Sequence, residues 1–158
     1  MKPESERGVD LGSPLATLHR YFIAANKMRI CFDNTLAKPE VSKRFEHPES
    51  MDAKTLSRLI LLEFTDDFGV FMFYWYSAIY VVIEGFKDLK LKDAKIEALL
   101  QSPNVEALKL ARNATFHFQE KYVSHKLIPF LESQDSVPWV RSLTEAFSEF
   151  FLREIPKL

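Results

Sequence analysis

Apolar residues recur along most of this chain in steps of three and four, the spacing that lines one side of an α-helix. Leu15, Leu18, Phe22, Ala25, Phe32 and Leu36 form the first such seam, and Arg29 sits within it. Ser13 and Pro14 supply its start, because a serine oxygen accepts a free N–H of the first turn and proline is already shaped for that turn. The pattern predicts a helix from residue 14 with one buried side. Residues 1–12, which hold two of the four glycines and several charges, are expected to be a loose arm.

Residues 37–50 mix two prolines with charges and read as a loop. A second helix, capped by Ser50 or Asp52, is predicted to run towards Gly85, with a kink or break at Thr65-Asp66-Asp67, residue types that favour caps over helix interiors. Asp93 can cap a short helix over DAKIEALLQ, and Ser102-Pro103 repeats the serine–proline start signal. The helix that follows should bury Val105, Leu108, Ala111, Phe118 and Tyr122 against the aromatic segment at residues 68–83, and Phe116 and Phe118, which flank His117, should pack in the bundle, with stacking on bases as the alternative. A last helix begins between Ser136 and Pro138 and runs until Pro156 stops it. The fold class predicted is all-α: an antiparallel bundle of four to six helices forming one domain over residues 13–158.

Composition supports this picture. The 158 residues are 47% hydrophobic and 13% aromatic, enough for a real core, and four glycines leave little room for the turns of an all-β fold. The uncharged run at residues 68–83 is shorter than a bilayer-spanning helix, and acidic residues flank it where a membrane helix prefers basic anchors, so it reads as a core helix and no membrane partner is expected. The single cysteine, Cys31, cannot form an internal disulfide and is expected to be a small buried hydrophobe. With no apolar h-region in MKPESERGVDLGS, the expected location is the cytoplasm.

Candidate chemistry concentrates in KLARNATFHFQ, residues 109–119. On a continuous helix Asn113 and His117, four apart, share one face, and the long side chain of Arg112 can bend towards the same opening. The three could address one small anion, or Asn113 could simply hydrogen-bond His117 at the edge of the core. His19, His47 and His125 read as structural or solvated. Residues 109–126 carry Lys109, Arg112, Lys121 and Lys126 against Glu120, a local net of +3 on a chain of net −1. Lys109 and Lys121 are therefore candidate nucleic-acid contacts, with an ordinary solvated face as the alternative. Glu84 and Arg29, if buried, should pair with each other or with Arg112. A pairing of Arg112 would occupy its guanidinium structurally.

Arg112-Asn113-Ala114-Thr115-Phe116-His117 resembles the arginine, polar residue, short spacer, histidine motif of the HEPN superfamily, small all-helical domains that usually dimerise and often act as metal-independent ribonucleases. YWYSAIYVVIEGF together with RNATFHFQ also resembles a set of uncharacterised bacterial helical proteins. The HEPN resemblance implies a homodimer that cleaves RNA without a cofactor or metal. Catalysis would fall to Arg112, Asn113 and His117, with a toxin or defence role and an antitoxin protein as a partner the sequence does not name. Histidine can exchange a proton near neutral pH and arginine presents forked donors to phosphate oxygens. One histidine cannot easily serve both sides of a phosphorus, so a two-fold dimer would supply the second.

Two other functions stay open. One is a non-catalytic interaction or nucleotide-binding domain, with the same three residues as polar pins. The other is a small-molecule bundle with Phe71, Tyr74, Trp75 and Tyr80 lining a pocket. No Glu-x-x-His pair, zinc set or covalent-hydrolase motif is present in the sequence.

Overall fold

A computed structural model describes residues 12–45 and 50–155 of the chain. Residues 1–11 of the arm expected over residues 1–12, His47 and the Pro156 stop lie outside the described residues. Among the described residues the chain forms α-helices and no strand: α1 (Pro14–Leu36), α2 (Pro39–Ser42), α3 (Ala53–Leu62), α4 (Asp67–Asp88), α5 (Ala94–Leu99), α6 (Asn104–Phe116), α7 (Ile128–Glu132) and α8 (Ser136–Glu154). Two more helices are present than the upper expectation. One is the single turn α2, which with a 3₁₀ turn at Lys43–Phe45 occupies part of the segment read as loop, and the other is α7.

Side-chain caps place three of the starts. Ser13 Oγ accepts the Ala16 N–H at 3.0 Å, Asp52 Oδ1 that of Thr55 at 2.6 Å, and Asp93 Oδ1 that of Ile96 at 2.9 Å. The Ile96 N–H, helped by Arg153 at 2.8 Å, holds the Asp93 carboxyl below the ordinary carboxylate range. The expected break is present between Leu62 and Asp67, with Asp66 at the cap position of α4 and Arg44 bonded to both Glu63 and Asp66.

α4 is the centre of the bundle. It is long and apolar enough to cross a membrane by length and composition, and it is packed on several sides as a core helix. Phe32 of α1 meets Phe68 at one end of α4, while Leu18 lies against Gly85 at the other, so α1 and α4 are antiparallel. α6 is also antiparallel to α4, since Phe116 touches Tyr74 and Arg112 reaches Glu84. α8 returns beside α1, with His19 against Phe151 and Asp33 bonded to Arg141. Burial lowers the His19 pKa below its ordinary value, as expected for a structural histidine.

The buried Phe22, Phe86 and Phe147 join α1, α4 and α8. Asn104, buried at the start of α6, donates to Asp135 and accepts from Ser133, and Trp139 Nε1 donates to the Leu99 carbonyl. Arg29 does not pair with Glu84, which is taken by Arg112. Arg29 bonds Asp33 and Asn26 on its own helix, where it keeps contact with water and avoids the desolvation cost of a buried pair. Cys31 is half-buried rather than sealed in the core, because its position on α1 falls outside the stripe that meets α4 and α8.

α4 ends in a Schellman arrangement. Leu91 N–H donates to the Phe86 carbonyl at 3.1 Å and Lys90 N–H to that of Lys87 at 2.9 Å, which forces Lys90 to φ 53°. This left-handed conformation costs a side-chain-bearing residue about 1 kcal/mol. Lys90→Gly should therefore raise stability by about 1 kcal/mol, read as an upward shift of the thermal unfolding midpoint. No shift, or a fall, would mean that the lysine side chain offsets the backbone cost.

Candidate functional site

The RNATFH segment lies on the last turns of α6 and just beyond them. Leu108 and Ala111 hold the helix to the core as expected. The helix then stops at Phe116: His117 has φ −115° and ψ 135°, extended backbone that closes only one N–H to the Asn113 carbonyl at 3.1 Å. Thr115, Phe116, His117 and Phe118 are all modest helix formers. What holds the exit is Gln119, whose Nε2 donates to the carbonyls of His117 at 2.8 Å and Phe118 at 3.1 Å, while its Oε1 accepts from Ser124 at 3.3 Å.

This exit corrects several expectations. Asn113 and His117 do not stack on one helical face, because the face ends before His117. Asn113 Oδ1 is instead taken by Arg112 Nη1 at 2.8 Å, so asparagine orients the guanidinium and not the imidazole. Phe118 and Tyr122 are not part of the buried stripe. They are 92% and 69% exposed, and Phe116 is 48% exposed with its ring edge-on to Tyr74 at 5.7 Å.

Arg112 is engaged, as its pairing with Glu84 would require. Its Nη2 bonds Glu84 Oε2 at 2.7 Å, and its guanidinium lies 5.7 Å from the centre of the Tyr80 ring. The pair fastens α6 to α4 and stays in partial contact with water, the Arg112 side chain being 25% exposed. Burial first, then the Glu84 and Glu106 charges, raise the Tyr80 pKa above its ordinary value against the pull of Arg112. Of the five N–H donors of a guanidinium, two are used here, at Nη1 and Nη2.

His117 and Lys121 come together on a cleft of about 450 Å³, walled by Phe64 and Thr65 of the α3–α4 turn, by Val70, Phe73 and Tyr74 of α4, and by the segment after α6. Arg112 and Asn113 are not among its lining residues. Lys109 lies two turns earlier on α6, exposed and 3.4 Å from Glu106, so the two candidate lysines do not form one patch. The four aromatic residues proposed as a pocket do not share one either. Trp75 and Tyr80 are buried, Phe71 packs against the core, and only Tyr74 reaches the cleft.

Nothing in the periodicity of the sequence marks Phe64, Gln119 or Ser124 as site residues. The cleft is made by an irregular segment folding back on a turn some fifty positions earlier, and only that return brings them together. Among the described residues no three His, Cys, Asp or Glu side chains form a set able to hold a metal ion. Comparisons with protein-family models, curated proteins and solved structures give no match.

Proposed function

We propose that this chain is a metal-independent endoribonuclease of the HEPN type that works as a homodimer. The observation that carries the reading is the exit of the chain from α6 at His117, which leaves the imidazole exposed on an aromatic cleft beside Lys121, five residues from an oriented arginine. In the reaction the 2′-oxygen attacks phosphorus, the bond to the 5′-oxygen breaks, and the products are a 2′,3′-cyclic phosphate and a 5′-hydroxyl. One imidazole takes the 2′-hydroxyl proton, and the His117 of a second copy gives a proton to the departing 5′-oxygen. Arg112, steadied by Glu84 and Asn113, offers its remaining donors to the phosphate oxygens.

The second reading is a non-catalytic interaction or nucleotide-binding domain, and the Arg112–Glu84 pair favours its protein-interaction form, since the carboxylate offsets the charge a phosphate would seek. The two readings separate in one experiment. The purified chain is expected to be a dimer by light scattering and to cut single-stranded RNA in the presence of a chelator, leaving cyclic phosphate ends. His117→Ala should lower that rate by at least about 100-fold. Because the imidazole is exposed, the substitution should leave the unfolding free energy within about 0.5 kcal/mol of the native value. A stable dimer that cuts no RNA would favour the interaction domain.

A further inference from the structure

We propose that the cleft beside His117 receives an unpaired nucleobase of the RNA strand, recognised by stacking and with little discrimination among bases. The inference rests on the ribonuclease reading and names what that site grips. The first support is the ring geometry. Phe64 and Phe73 stack at 4.3 Å with an interplanar angle of 9°, and Tyr122 stands edge-on to Phe64 at 6.3 Å. Phe118 and Tyr122 keep most of their ring surface in water at the same edge. Single exposed apolar residues are ordinary, but several rings gathered at one cleft mark a surface that something covers.

Charge selects the occupant. The chain has 22 acidic residues, yet among the described residues lining this cleft none is acidic, and His117 and Lys121 stand at it. A flat apolar body joined to an anion suits such a place, and a nucleotide has that form. Its volume of about 450 Å³ falls in the range of ligand clefts. The most prominent hydrogen-bonding side chain there is already committed, Gln119 being bonded to two carbonyls and to Ser124. The hydroxyls of Thr65, Tyr74 and Tyr122 also line the cleft, and a hydroxyl can donate to or accept from any base edge, so stacking dominates and every base has a face to offer. A base inside a duplex cannot enter, which restricts the ligand to single-stranded RNA.

The test uses the full chain and a strand it cannot cut, a short 2′-O-methyl oligouridine, with an abasic strand of equal length and a duplex as comparisons. Fluorescence anisotropy should give an affinity at least about tenfold higher for the base-bearing strand than for the abasic one or the duplex. Phe118→Ala and Tyr122→Ala should each remove most of that difference while the circular dichroism spectrum is unchanged. Equal affinity for base-bearing and abasic strands overturns the proposal, as does indifference to both substitutions. Conversion of a dimer to a monomer by either substitution also overturns it, because the rings would then be covered by a second copy. Cleavage of unmodified RNA by the native chain is scored separately. If RNA is cut while the abasic strand binds equally well, only the base-binding inference fails; if the base effect is present without cleavage, only the ribonuclease reading fails.

Discussion

Phe147→Ala is expected to lower the unfolding free energy by about 4 kcal/mol, the largest loss from any one substitution considered for this chain. Phe147 has no solvent exposure and stands where three long helices meet. Its ring centre lies 6.4 Å from that of Phe22 on α1, 5.7 Å from that of Phe86 on α4 and 6.3 Å from that of Phe151 on its own helix. Truncation removes the transfer energy of a whole ring and leaves a cavity whose walls belong to separate helices. Those walls cannot close without moving α8 as a body. Denaturant unfolding should show the midpoint falling at constant slope. Leu152, five residues on and 69% exposed, provides the control, and Leu152→Ala should stay within about 0.5 kcal/mol of the native value. A loss below about 1.5 kcal/mol for Phe147→Ala would mean that α8 is not held through this cluster.

Gly69→Ala comes next, with an expected loss of about 2 kcal/mol. In a helix the change would ordinarily gain about 1 kcal/mol, since alanine is the better helix former. Here a Cβ would lie 2.5 Å from the carbonyl oxygen of Glu63, 3.0 Å from its carbon and 3.3 Å from Phe64 Cα. All three are main-chain atoms of the α3–α4 turn, so no rotamer change relieves the overlap. Gly85 gives the opposite case on the same helix, because an added Cβ there meets the end of the Leu18 side chain, which can rotate away. Gly85→Ala should therefore remain within about 1 kcal/mol of native stability. Equal losses at the two glycines would show that helix packing rather than main-chain approach decides both. The turn over Gly69 also carries Phe64 and Thr65, one wall of the cleft beside His117, so Gly69→Ala should weaken binding there together with stability.

Several features were legible because their causes are local. Ser13, Asp52 and Asp93 act as caps within three residues of the groups they satisfy, and the break before Asp67 falls among residues that serve caps better than interiors. The apolar seam of α1 repeats over many turns, which makes it robust to an exception such as Arg29. The end of α6 was illegible for the complementary reason. A pattern of threes and fours continues through Phe118 and Tyr122 whether or not the backbone follows it, and the interactions that draw it away, Gln119 to the carbonyls of His117 and Phe118, leave no periodic trace. The Glu84–Arg112 pair could be named in advance as one of several pairings, because buried charges need partners, but the sequence could not choose among them.

By itself the sequence determined the longer helices and the short α5, most of their beginnings, the all-α class and the segment where polar chemistry collects, since these follow from spacing and capping within a turn or two of the chain; α2 and α7 it did not mark. Only the tertiary structure decided that Arg112 is spent partly on Glu84 and that His117 and Lys121 face a cleft walled by Phe64 and Tyr74. Those outcomes depend on residues from distant parts of the chain meeting in space, and such meetings are set by how whole helices pack and how one irregular segment returns to a turn.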